Sequence, residues 1–167
     1  PLQTSIPIAN IVKLLQKNEN EVLLSGVLAA VNSMVLNCPA NQEAVNNSQV
    51  LKLLFKTVGQ YTTATTVKRT CSLVAYLTSV NSEFQAKFSS IGLLTYIIDS
   101  LKRYIEAANS DTTSVLAEGC WAVCNCSHNN PSNKAKFGKM NTVDVLHTIL
   151  TRYSTHEATV LWASGAI

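Results

Sequence analysis

The sequence predicts an all-α protein, a solenoid of repeated helix triplets, and three observations predict it. A short apolar stripe at i, i+3, i+7 spacing occurs four times. A longer stripe with a recurrent small residue follows each copy, at spacings of 45, 48 and 46 residues, and a short helical segment separates each long stripe from the next short one. A period in the forties assembled from short, medium and long helices marks an α-solenoid, whose units bury their apolar faces on one another.

In chain order, Ile8, Ile11 and Leu15 form the first short stripe. Pro7 is placed to open that helix at its first turn, and the helix is expected to end near Lys17 and Asn18. The stripe returns as Leu51, Leu54 and Val58, then as Leu94, Ile97 and Leu101, and again as Val143, Leu146 and Leu150. The long stripe reads Val22, Gly26, Leu28 and Asn32 in its first copy and Val67, Cys71, Leu73 and Leu77 in its second. Val115, Gly119, Trp121 and Asn125 make the third, and Leu161, Gly165 and Ile167 begin a fourth. A small side chain at the Gly26, Cys71, Gly119 and Gly165 position lets another helix approach, which accounts for glycine where it costs about 1 kcal/mol of helix propensity. In the second copy either Cys71 or Ser72 fits that place.

The short segments are NQEAV at 41–45, EFQAKF at 83–88 and PSNKAKF at 131–137, which bring Val45, Phe88 and Phe137 to one place in the unit. Pro131 suits the start of such a helix, with Asn130 as its cap. Gln49, Gly92 and Asn141 mark the sharp turn that follows; Gly and Asn tolerate positive φ and Gln does so poorly. An extension, KRYIEAANSD at 102–111, lengthens either the middle helix of its unit or the loop after it.

Composition narrows the function classes. In 167 residues, 47% are hydrophobic, enough for a core, while 14% are charged and the net charge is +3, too little for the field that nucleic-acid or membrane-surface proteins carry. Residues 2–15 are too short and too interrupted to span a bilayer, and they lack the charged start and apolar centre of a secretory signal. The five cysteines are odd in number, and Cys120, Cys124 and Cys126 crowd one helix, a pattern suited to the reducing cytoplasm or nucleus.

Residues 119–126, Gly119-Cys120-Trp121-Ala122-Val123-Cys124-Asn125-Cys126, resemble position by position the A-x-W-A-L-x-N-L close of an armadillo repeat. On that resemblance the whole chain, 1–167, is a single armadillo-repeat fragment: a partial repeat at 5–40, repeats at 41–81 and 82–129, and a truncated repeat at 130–167. The family implies a right-handed superhelix whose third helices line a concave groove for an extended peptide or a partner helix. Its importin-α branch holds peptides with Trp-x-x-x-Asn pairs, and Trp121 with Asn125 matches one rung. The neighbouring rungs depart from the pattern. Leu28 and Asn32 keep only the asparagine, Leu73 and Leu77 keep neither, and Ile167 replaces the last tryptophan, which argues against a complete receptor for nuclear localisation signals.

The candidate groove therefore comprises Trp121 and Asn125 with Ser114, Glu118 and His128 on the same helix, Ser25 nearby, and Asn32 and Leu28 on a neighbouring rung. The competing reading is structural: Trp121 packs between third helices and Asn125 bonds within the superhelix. With acidic residues sparse there, the groove fits a neutral or mixed ligand better than a lysine-rich one. Cys120, Cys124, Cys126 and His128 invite a zinc hypothesis, but around one helix they point in different directions, so no metal site is expected. His128, His147 and His156 have no catalytic companion at a motif spacing, and no phosphate loop, nucleophile elbow or paired-carboxylate motif occurs. Lys134, Lys136 and Lys139, with Lys102 and Arg103, read as a solvated outer face because no aromatic residues interleave with them. The expectation is a non-catalytic protein-binding scaffold with no cofactor and no small-molecule substrate. End-to-end self-association is the structural alternative, since terminal repeats normally carry polar caps.

Overall fold

The computed structural model describes residues 8–17 and 20–167; the expected helix opening at Pro7 and the helix end at Asn18 lie outside the described residues. Eleven α-helices and no strands occur among those residues. The first two are α1 (Ile8–Gln16) and α2 (Glu21–Val35). Three triplets follow, each a short, a medium and a longer helix until the last: α3 (Pro39–Asn46), α4 (Val50–Val58) and α5 (Ala64–Val80); α6 (Ser82–Ser90), α7 (Leu93–Ala107) and α8 (Thr112–Ser127); α9 (Pro131–Lys139), α10 (Thr142–Arg152) and α11 (Glu157–Gly165).

Local chemistry sets these boundaries. Asn20, Thr63 and Asn130 each accept a hydrogen bond from the backbone N–H three residues on, at Leu23, Thr66 and Asn133, and Asn81 accepts from Glu83. Pro39 and Pro131 open α3 and α9, where a missing N–H costs nothing. Gly92 (φ 80°) and Asn141 (φ 55°) turn the chain into α7 and α10 in the left-handed region. Gln49 sits at φ −82°, so the first junction turns without a left-handed residue there. The 102–111 extension lengthens the middle helix: α7 runs to Ala107 and stops at Ala108, φ 43°.

The long helices lie side by side in chain order, α2 on α5, α5 on α8 and α8 on α11, while α1 packs on α4 and α7 on α10. One continuous core joins them, with Val45, Phe88 and Phe137 of the short helices inside it. Phe88 stands edge-on to Phe55 of the preceding medium helix, ring centroids 5.2 Å apart, so each unit is keyed to the next. A second key is polar. Gln42 on α3 donates to Val35 O (2.8 Å) and Asn133 on α9 to Cys126 O (2.9 Å), each capping the long helix before it. Gln85 on α6 reaches forward instead, donating to Asn125 O (2.8 Å) and His128 O (3.0 Å).

The expected stripes need correction in four places, one of them the fourth long stripe, whose Leu161 and Ile167 are exposed. Val22 is 83% exposed, and Leu24 takes its place in the core. Val143 is likewise exposed, and Val145, Leu146 and Ile149 bury α10. Gly26 meets nothing within 4 Å of a built Cβ, so no helix approaches it, whereas a Cβ on Gly119 would stand 2.6 Å from Leu101 Cδ2. Only the glycine in α8 serves the close approach expected of both.

Candidate functional site

The buried positions give the register of the long helices. Leu24, Leu28 and Val31 on α2 match Val67, Cys71 and Val74 on α5 and Leu116, Cys120 and Val123 on α8, at identical internal spacing and all buried. The residue after the middle position then faces outward: Ala29, Ser72 and Trp121. Four residues further stand Ser33, Tyr76 and Asn125, and three residues before it Gly26, Arg69 and Glu118. Each set is part-exposed or exposed, so the helices share one outward strip at i, i+3, i+7 spacing. Trp121 thus matches Ser72 and Ala29, each one residue from the expected Leu73 and Leu28. Leu28 is 0% exposed and belongs to the core, and Leu73 is equally buried.

Across this face lies a hollow of about 390 Å³ lined by Ala29, Asn32, Leu36, Arg69, Tyr76 and Trp121, together with Ser33 and Ser72. Small residues on α2 and α5, namely Ala29, Ser33 and Ser72, are part of its lining. Trp121 closes one side, braced from behind by Trp162 of α11 at a centroid distance of 5.5 Å and 33° between planes. The Tyr76 hydroxyl accepts from the Asn37 backbone N–H and donates to Asn37 Oδ1 (3.2 Å), fixing the ring over the turn after α2. Glu118 is held as well, its Oε2 accepting from the Ser72 hydroxyl at 2.7 Å. Arg69 Nη1 donates to Ser25 O (2.8 Å) and Ser25 Oγ (2.5 Å).

The two candidate asparagines are turned into the framework. Asn125 Nδ2 donates to Ala75 O on α5 (2.8 Å), and Asn32 Nδ2 donates to Leu28 O (3.1 Å) and to Arg69 O on α5 (3.0 Å). Each amide therefore stitches its long helix to a neighbour. Both Asn32 hydrogens are engaged, which leaves only Oδ1 for a ligand.

The structure brings together Trp121 and Asn32 at the hollow, with Glu118 beside them through Ser72. Ser114 and His128 lie at opposite ends of α8, about 20 Å apart along the axis. Ser114 donates to Asp111 O, and His128, exposed, borders a separate cavity with Lys134 and Phe137. Arg69 and Tyr76 are absent from the sequence expectations, and Ser72 enters them only as an alternative small residue to Cys71. Their own i, i+3, i+7 polar spacing, repeated by Glu118, Trp121 and Asn125, is the signal that would have found them.

The cysteines divide by burial. Cys71, Cys120 and Cys126 are core residues, and burial pushes the Cys120 and Cys126 thiols up to about 12 and that of Cys71 higher still. Half-buried Cys124 donates its thiol to Gly165 O at 3.2 Å. Among the described residues no three His, Cys, Asp or Glu side chains come together as a metal site, and no helix is long and apolar enough to cross a membrane.

No protein-family model matches the chain, and neither a curated protein nor a solved structure matches it.

Proposed function

We propose that the chain is an armadillo-type α-solenoid, a right-handed stack of three-helix repeats, and a non-catalytic scaffold that holds an extended peptide or a partner helix along the face of α2, α5, α8 and α11. One observation carries this reading: the hollow lined by Tyr76 and Trp121, aromatic residues each fixed by a second contact, together with small residues of α2 and α5. Aromatic walls held in place before binding lose little entropy when a ligand arrives. The recurrent helix triplet and the residue 119–126 motif support the family assignment. The unpaired thiols support a cytoplasmic or nuclear protein.

Selection of a random dodecapeptide display library on the wild-type chain, with counter-selection on the Tyr76→Ala/Trp121→Ala variant, tests it. Peptides enriched on the wild type and lost on the variant, with melting temperatures within a few degrees, are the expected result. Absence of any enriched peptide overturns it.

Exposed Val143, Leu161 and Ile167 favour a second reading, in which the segment has a structural, self-associating role and recognition lies elsewhere. Sedimentation at rising concentration decides it: a strictly monomeric chain removes that reading.

A further inference from the structure

Arg69 enters the hollow as a fixed, partly buried cation with an unused edge. A guanidinium carries five N–H donors in a planar fork, and the two on Nη1 are matched by the two acceptors of Ser25. The guanidinium makes no other hydrogen bond or ion pair among the described residues, so the three donors on Nε and Nη2 have no protein acceptor there. Glu118, the acid on the same strip, faces the Ser72 hydroxyl instead. The Nε and Nη2 donors form the edge that accepts a carboxylate in two parallel hydrogen bonds, and Ser25 holds the plane of the group in advance. Ala29, Leu36, Tyr76 and Trp121 supply apolar walls in the same hollow. A cation with a free bidentate edge inside an apolar slot defines its complement: a bulky apolar side chain with a carboxylate on an adjacent residue.

We propose that the face described above selects acidic peptides, taking a large apolar side chain between Tyr76 and Trp121 while Arg69 binds a neighbouring Asp or Glu carboxylate through Nε and Nη2. This rests on the groove reading and adds to it the chemistry of the ligand. A lysine-rich peptide is disfavoured at this slot, because its ammonium would be desolvated beside the guanidinium while Glu118, the acid of the strip, is already engaged by the Ser72 hydroxyl.

The test uses the wild-type chain, labelled with nitrogen-15, and four capped peptides in a Gly/Ser background whose central triplets are Glu-Phe-Glu, Gln-Phe-Gln, Lys-Phe-Lys and Glu-Ala-Glu. Titrations are followed at the indole N–H signals of the two tryptophans. Glu-Phe-Glu is expected to bind best, Gln-Phe-Gln about tenfold more weakly, as befits a lost charge-assisted pair, and Lys-Phe-Lys more weakly still. In Arg69→Gln the preference of Glu-Phe-Glu over Gln-Phe-Gln falls to about one; should that variant not fold, the wild-type ranking and its weakening with salt decide alone. Binding of Lys-Phe-Lys as tight as that of Glu-Phe-Glu overturns the acidic preference while leaving the groove reading intact. Failure of every peptide to shift the Trp121 signal overturns both.

Discussion

Asn125 on α8 donates its side-chain amide to the carbonyl oxygen of Ala75 on α5 at 2.8 Å, so a residue expected from its sequence resemblance to face a ligand ties two long helices together. Removing the amide deletes this bond while the Thr78 hydroxyl still donates to Ala75 O at 3.2 Å, so the cost is that of one net hydrogen bond, about 0.5–1.5 kcal/mol. Asn125→Ala is expected to lower the urea-unfolding free energy by that amount, which corresponds to about 2–4 °C in melting temperature per kcal/mol for a chain of this size. Trp121→Ala leaves this hydrogen bond in place. Its effect belongs to the hollow and to the stack on Trp162, so the two substitutions separate the helix-to-helix bond from the proposed ligand contact. An Asn125→Ala protein as stable as wild type would show that the bond contributes nothing.

Gly26 and Gly119 respond to alanine in opposite directions. At Gly26 a Cβ meets nothing within 4 Å in an exposed helix interior, so Gly26→Ala is expected to stabilise by about 0.5–1 kcal/mol. At Gly119 the added carbon stands 2.6 Å from Leu101 Cδ2, the flexible end of a fully buried side chain. Overpacking of about 1–3 kcal/mol outweighs the propensity gain of about 1 kcal/mol there, and Gly119→Ala is expected to destabilise. Chemical denaturation of the two variants checks the sign of each; equal signs would mean that Leu101 moves aside freely.

The same pair shows how far the fold was legible. Helix positions and order followed from periodicity because the medium helices are one-sided: Leu51, Leu54 and Val58 or Leu94, Ile97 and Leu101 face the core and charged residues face away. The long helices are packed by neighbours on both sides and are apolar around most of their circumference, so a stripe can be drawn through them in more than one register. Matching Gly26 to Gly119 by residue type chose the wrong one and carried Leu28 onto the outward strip. The hollow stayed hidden for the same reason. Ser72 and Tyr76 align with Trp121 and Asn125 only once burial fixes the register, and the bonds of Asn32 and Asn125 to other helices have no trace in local spacing. The capping amides Gln42, Gln85 and Asn133 did have one, since each stands inside a recognised short segment.

The buried thiols make stability fall in alkali. Cys120 and Cys126 stay protonated in the fold up to about pH 12, while the unfolded chain releases these protons near the ordinary value of 9.0. Above that value the unfolded state binds fewer protons than the folded one, so unfolding gains with each step in pH. The thiol contribution is complete below about pH 9 and is lost between about 9 and 12, at about 1.4 kcal/mol per pH unit for each thiol. Urea midpoints from pH 8 to 10 are expected to fall, and to fall less steeply in Cys120→Ala/Cys126→Ala. The same burial predicts selectivity toward a thiol reagent at pH 8: Cys38 and Cys124, part-exposed, react in the native protein, and all five react after denaturation.

Two tyrosines of α7 differ in what their hydroxyls meet. Tyr104 donates to Thr62 O at 3.0 Å across to the preceding unit, so Tyr104→Phe loses one hydrogen bond, about 1 kcal/mol. The Tyr96 hydroxyl is buried without a hydrogen-bond partner beside Thr70, whose own hydroxyl donates to Thr66 O, and its burial pushes the phenol well above its usual range. A buried hydroxyl without a partner carries its desolvation penalty, about 1–3 kcal/mol, with nothing returned, and phenylalanine fills the same volume without it. Tyr96→Phe is therefore expected to be neutral or stabilising by up to about 1 kcal/mol, opposite in sign to Tyr104→Phe. Thermal unfolding of the two single variants and the double variant reads both terms, and because the hydroxyls share no partner the two effects should add. A destabilised Tyr96→Phe protein would mean that Thr70 or Ser100 turns in solution to pair with the phenol.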